Sequence, residues 1–186
     1  MGLNFHIDDI FPLLLRFGNQ PLILKHYVKS QKHYWTEACF IPHAGDHEAV
    51  RRVVTRFLEL QDDSLAHGLV FRKFVELKPL TAHPKSGMPL TREFRLFFLD
   101  GKRLAEGRYW DEADYGDDDL LPLDSIFENV AERVQSRFFT MDVAQRTSGD
   151  WLIIELGDAQ VSGLPESLDR AAFYAALKAR LQSVSS

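Results

Sequence analysis

Apolar positions along this chain switch repeatedly between a spacing of two and a spacing near 3.6, the marks of strands and helices in turn. Pro21 opens the run PLILKHYV, 21–28, whose β-rich apolar residues predict a strand, and the polar KSQKH that follows predicts a loop. YWTEACFI, 34–41, alternates aromatic or aliphatic residues with small or polar ones and predicts a second strand returning as a hairpin. After Pro42 and Gly45, HEAVRRVVTRFLELQ sets Val50, Val53, Val54, Phe57, Leu58 and Leu60 at roughly helical spacing, with Asp46 standing where an N-cap belongs.

Gly68 introduces LVFRKFVEL, a further strand, and the polar, proline-containing stretch 78–89 predicts a loop between two lobes. The expected boundary lies near residue 76, giving a smaller lobe over 1–76 with a phosphate loop and a larger one over 77–186 with a metal-binding hairpin. TREFRLFFLDGKRLAEGRYW reads as strand, Asp100-Gly101 turn and strand. Ile126, Val130 and Val134 predict a helix within Pro122–Val134. FFTMDVA and WLIIEL flank the turn TSGD as a hairpin, and SLDRAAFYAALKARLQ ends the chain as a helix with Ser167 as its candidate cap. Hairpins alternating with helices give an α+β fold class.

Composition narrows the function. With 186 residues, 45% of them apolar and 26% charged, the chain is rich enough in apolar groups to bury a core. A net charge of −5 argues against general nucleic-acid binding, which requires a basic face. The single cysteine, Cys39, has no disulfide partner and reads as a buried core thiol in a reducing compartment. The N-terminal apolar stretch is cut by Pro12, Arg16 and Gly18, and no run reaches the roughly 18 apolar residues of a membrane span, so a cytoplasmic protein is expected. The acidic DEADYGDDD, 111–119, reads as a solvated loop, and its spacing does not match an EF-hand.

Candidate chemistry centres on the last hairpin. A four-residue loop from Thr147 to Asp150 would pair Arg146 with Trp151 and set Asp142 opposite Glu155. Two directly opposed carboxylates, about 5 Å apart at Cβ, repel unless a cation intervenes, and an oxygen-only ligand set suits Mg2+; an exposed pair with no ligand is the alternative. Lys25 lies in an apolar strand, and Lys29, Ser30 and Lys32 crowd the loop after it, donors that suit a phosphate chain or, alternatively, a strand-end lysine reaching to water. Glu93 and Arg95 leave one face of their strand, either as an ion pair or with Arg95 placed against phosphate charge.

In this order, PLILKHYVKSQKHYW, LVFRKFVEL, EFRLFFLDGKRL and MDVAQRTSGDWLIIELGDAQVSGLP resemble the ATP-grasp superfamily, in particular its little-characterised bacterial and phage branch, over about residues 20–166. The resemblance implies a two-lobed core with ATP in the cleft between the lobes. It implies Lys25 on the phosphates with Lys29 and Ser30 in the covering loop. The adenine contact falls on the backbone of Arg72, Lys73 and Val75, the ribose contact on Glu76, and Glu93 joins these nucleotide-binding residues. Asp142 and Glu155 would hold Mg2+, and Arg95 would face the terminal phosphate as a catalytic residue beside Lys25. Where the superfamily commonly has Glu, any residue, Asn, this chain has Glu155, Leu156, Gly157, Asp158; Asp158 is taken as third ligand, with Gln160 behind it.

The implied reaction is phosphoryl transfer from ATP to a small-molecule or peptide carboxylate, followed by attack of an amine or other nucleophile on the acyl phosphate. Because only about twenty residues precede the first lobe, a partner polypeptide replacing an N-terminal domain is also expected. The alternative is a nucleotide-binding module without catalysis of its own.

Overall fold

The computed structural model describes residues 6–26, 31–60, 68–116 and 125–183. The chain divides into two compact units, one formed by Met1–Val75 with Ala82–Met88 and the other by Glu76–Thr81 with Pro89–Ser186.

In the first unit a short helix, α1 (Phe11–Leu14), precedes strand β1 (Leu22–His26), which lies between β2 (Phe40–Ile41) and β3 (Leu69–Lys73) in an antiparallel sheet. Helix α2 (His47–Glu59) is started by Asp46, whose Oδ1 accepts the Ala49 N–H at 3.0 Å, the expected N-cap. Such a cap contributes about 1 kcal/mol. The helix buries Val50, Val53, Val54 and Phe57 against Leu22, Leu24 and Ile41. Each large side chain so buried contributes about 1.5–3 kcal/mol. Cys39 is buried in this unit, as expected.

The return strand expected over 34–41 is not formed. Only Phe40 and Ile41 pair with β1, whereas Trp35–Cys39 wind into one π-helical turn that buries Ala38 and Cys39 side by side. Trp35 stacks on Phe40 with ring centroids 5.6 Å apart, and Phe40 meets Phe74 edge-on at 5.2 Å.

The stretch expected to be a loop between lobes carries β4 (Pro79–Ala82), which pairs with β5 (Pro89–Thr91). The second unit's main sheet has four antiparallel strands, β6 (Glu93–Leu99), β7 (Lys102–Arg108), β8 (Phe138–Gln145) and β9 (Trp151–Asp158), in the order β7-β6-β8-β9. The Asp100-Gly101 turn forms as expected, both residues taking positive φ, 51° and 73°. Phe98 and Phe139 stack on one face of the sheet, and Phe97 packs with Phe173, Leu168 and Ala159 on the other. Of the acidic segment 111–119, residues 117–119 fall outside the described residues. Helix α3 (Ser125–Ala131) lies within the segment expected to be helical, of which 122–124 likewise fall outside them. The last helix, α4 (Arg170–Ser183), is capped by Asp169, whose Oδ1 accepts from Ala172 N at 3.0 Å; Ser167 instead takes the Arg108 N–H at 2.9 Å. Asp169 immediately precedes the first helical residue, and the expected cap lay two residues too early. Among the described residues, no helix is long and apolar enough to cross a membrane.

Candidate functional site

Three residues from three adjacent strands form a row on one face of the second unit's sheet. Arg95 on β6 stands directly opposite Asp142 on β8, and Asp142 stands directly opposite Glu155 on β9. Directly opposed residues project to the same face, so the row reads cation, anion, anion.

The expected Asp142–Glu155 pair is present, but the hairpin reaches it by another register. Gly149 takes φ of 97° and closes the turn early, so that Gln145 rather than Arg146 pairs with Trp151 and Arg146 N donates to Asp150 O at 2.8 Å. A β-bulge between Asp142 and Val143 then places Ile154 as an additional residue in β9 and brings Glu155 across from Asp142.

Asp142 is buried and occupied. Its Oδ1 accepts from Arg95 Nε and its Oδ2 from Arg95 Nη2, both at 2.8 Å, a two-pronged ion pair with side-chain exposures of 9% and 19%. Arg95 also donates from Nη1 to the Gly163 carbonyl at 3.2 Å and lies 4.9 Å above the Tyr109 ring. Hydrogen bonding to Asp142 raises the Arg95 pKa above its ordinary value. Burial, helped by the Asp142 charge, pushes the Tyr109 phenol up to about 12.

The same-face ion pair considered for Glu93 and Arg95 gives way to the cross-strand one. Arg95 forks onto Asp142, while the buried Glu93 carboxylate accepts from the Thr91 hydroxyl and from Trp110 Nε1, the latter at 3.1 Å. Asp158 is not brought to the row either. It lies three residues beyond Glu155 on β9, so strand alternation turns it to the other face, where its Oδ1 accepts the Gln160 N–H at 2.8 Å. Among the described residues, no group of three or more His, Cys, Asp or Glu side chains is arranged to hold a metal.

In the first unit, Lys25 is buried on the central strand opposite Val70, and Arg72 is opposite Ile23, so Lys25 and Arg72 share a face of their sheet. Lys73, opposite Leu22, is turned to the other face at the end of β3, and Val75 follows outside the strand. Lys29 and Ser30 lie outside the described residues. In the second unit, Glu76 is exposed, and its carbonyl accepts the Thr147 N–H at 3.3 Å.

Sequence reasoning missed Tyr109 and Gly163 as partners of Arg95. The Asp100-Gly101 turn carries no signal for the first: continued regularly it would pair Arg95 with Glu106, and a β-bulge between Phe97 and Phe98 shifts the partner to Gly107, which makes Tyr109, two residues on, a diagonal neighbour. Gly163 reaches Arg95 through a non-local turn, in which Ser162 Oγ donates to Asp158 O at 2.7 Å and meets Thr140 Oγ1 at 3.0 Å.

No curated protein matches the chain. Among solved structures it is similar to a RimK domain ATP-grasp protein from Sphaerobacter thermophilus DSM 20745, with TM-score 0.45 and 16% identity over 83% of this chain and 49% of that one. It is also similar to the ATP-grasp ligase PsnB complexed with minimal precursor, Mg and ADP, with TM-score 0.49 and 11% identity over 93% of this chain and 50% of that one. The chain thus spans about half the length of these structures. A family model described as an ATP-grasp domain, the third family of its clade, matches residues 16–177, most of the chain, and the protein belongs to that ATP-grasp family.

Proposed function

We propose that this chain binds Mg-ATP and serves an ATP-dependent ligation in which a carboxylate is activated as an acyl phosphate and passed to an amine or another nucleophile. The observation that carries the reading is the Arg95–Asp142–Glu155 row across β6, β8 and β9. Its two carboxylates fit Mg2+, which takes one or two protein carboxylates, fills its other positions with phosphate oxygens and water, and needs no closed protein cage. Each ionised carboxyl has lone pairs beyond those used by Arg95, so Asp142 retains acceptor capacity. When bound, Mg2+ neutralises phosphate charge and holds the terminal phosphate in line for transfer.

The chain's own residues then divide the work. Asp142 and Glu155 supply the metal oxygens; Arg95 supplies a rigid fork for charge that develops on the phosphate; Lys25 and Arg72, on one face of their sheet, supply cations for the phosphate chain. The nucleotide base falls to the backbone from Arg72 to Val75, with Glu76 toward the ribose. Asp158 is not retained in this proposal, because strand alternation turns it to the face opposite the row.

A second reading, a nucleotide-binding module that completes its carboxylate site with another polypeptide, is favoured by one observation: Arg95 is engaged by Asp142. Calorimetric titration of Mg-ATP into the wild type and into Asp142→Asn and Glu155→Gln, with an ADP-release assay against pooled amino acids and small peptides, tests both. Weakened Mg-ATP binding in both variants with carboxylate-dependent ADP release supports the ligase. Binding without release supports the module, and unchanged affinity in both variants overturns the metal assignment.

A further inference from the structure

Arg95 occupies the place of a cation. It sits at one end of the row with both oxygens of the buried Asp142 in its grip, and Glu155 stands at the other end. Without Arg95, two opposed carboxylates would face each other across about 5 Å with their repulsion uncompensated. With it, the two carboxylates and one guanidinium leave a single net negative charge, a poor attractor for a divalent ion.

Asp142 is the only anion hydrogen-bonded to Arg95 among the described contacts; the Gly163 carbonyl and the Tyr109 ring are neutral. A guanidinium released from Asp142 therefore remains tethered on the same face by a carbonyl and a ring, with its two freed N–H donors and its full charge available to an anion. The turn that presents Gly163 is itself pinned by Ser162 to the Asp158 carbonyl and to Thr140, so this tether does not depend on the ion pair.

From this arrangement we infer that Arg95 is an internal counter-ion that the metal displaces: arrival of the divalent ion at Asp142 and Glu155 releases the guanidinium and turns it into the phosphate-binding group. The inference rests on the assignment of Asp142 and Glu155 as metal ligands. It couples two events that separate sites would leave independent, because the site gains its phosphate-seeking arginine only after the metal is in place. Arg95 thus competes with the metal in the nucleotide-free protein and assists the phosphate in the loaded one.

The test uses the full chain without nucleotide. Mn2+ binding, followed by electron paramagnetic resonance of the free ion, is measured for the wild type, Arg95→Met, Arg95→Lys and Arg95→Met/Asp142→Asn. Removing the competing charge should tighten Mn2+ by about tenfold or more in Arg95→Met. The lysine variant, which keeps the charge and loses the fork, should fall between, and it carries the comparison if the methionine variant does not fold. In the wild type, the Arg95 Nε–H resonance, assigned by its loss in Arg95→Lys, should move on addition of Mg2+ and exchange faster with solvent. Equal Mn2+ affinities, no binding by any variant, or an Nε–H signal unmoved at saturating Mg2+ would each overturn the inference. If Arg95→Met/Asp142→Asn binds as tightly as Arg95→Met, the metal lies elsewhere and the ligand assignment itself fails. If the double variant loses the ion while Arg95→Met gains nothing, the assignment stands and only the displacement falls.

Discussion

Thr140 on β8 presses its hydroxyl against the backbone of Gly157, its direct partner on β9: a Cβ at position 157 would stand 2.7 Å from Thr140 Oγ1. Thr140 is buried and its hydroxyl also meets Ser162, so it has little room to retreat. Gly157→Ala should therefore push β9 away from β8 and cost about 1–3 kcal/mol, read as a lower urea midpoint at unchanged slope. Gly157→Ala combined with Thr140→Ser, which keeps the hydroxyl and removes a methyl, should not recover the loss; Thr140→Ala should recover part of it.

The two carboxylates of the row should respond unequally to neutralisation. Asp142→Asn leaves a partly buried guanidinium without its charge partner and should destabilise the metal-free protein by about 2–4 kcal/mol. Glu155→Gln removes an exposed charge that repels Asp142 and should shift stability by less than about 0.5 kcal/mol or raise it slightly. Urea unfolding of the two variants side by side checks the asymmetry; equal losses would place Glu155 in the ion pair as well.

Alkaline unfolding should report the buried phenols. Burial raises both Tyr109 and Tyr115 to about 12, above the ordinary value of 10.0. A group whose folded pKa is raised contributes stability that is whole below its unfolded pKa and lost as pH climbs through the folded one. Stability should therefore fall between about pH 10 and about pH 12. Tyr109→Phe should shrink that fall while keeping the ring beneath Arg95, as measured by denaturant midpoints across the window against tyrosinate absorbance.

Nucleotides of different length separate phosphate from base contacts. Lys25→Met should weaken ATP by about tenfold and AMP by less than about twofold, because a charge-assisted contact to the phosphate chain is lost while the base contact remains. Equal losses for ATP and AMP in calorimetry would remove Lys25 from the phosphates.

Local chemistry made much of this fold legible in the sequence. Asp46 as a cap, the Asp100-Gly101 turn and the apolar stripe of α2 each depend on residues within a turn or two of one another, and each is present. The π-helical turn at Trp35–Cys39 was hidden, because alternation of large and small residues over five positions serves a strand and a helical turn alike until the neighbouring surfaces decide. In the site, the Asp142–Glu155 pairing was legible in outcome but not in cause: the Thr147–Asp150 loop predicts it through an Arg146–Trp151 register, whereas the chain pairs Gln145 with Trp151 and regains the acid pair through the bulge at Ile154. Arg95 and Asp142 lie 47 residues apart in sequence on strands that no tight turn connects, and nothing local specifies that β6 and β8 are neighbours. The same lack of a linking turn concealed that Arg95's fork is held by Asp142 rather than by Glu93.

The bulge in β9 makes the carboxylate row a matter of odd and even. Between the Gln145–Trp151 pair and the Asp142–Glu155 pair, β8 advances three residues and β9 four. Were Ile154 deleted, the two counts would match, an acid would again follow Ile153, and it would again face Asp142, with the kink gone and the strand straighter. Deleting a residue of β8 in the same interval, or adding one to β9, would instead have to be absorbed by a second irregularity or would carry Glu155 to the opposite side. Length changes in this hairpin are therefore tolerable at its tip, Thr147–Asp150, and constrained below it, so variation in loop length among related chains should collect above Gln145 and Trp151 and leave the spacing of the acids untouched.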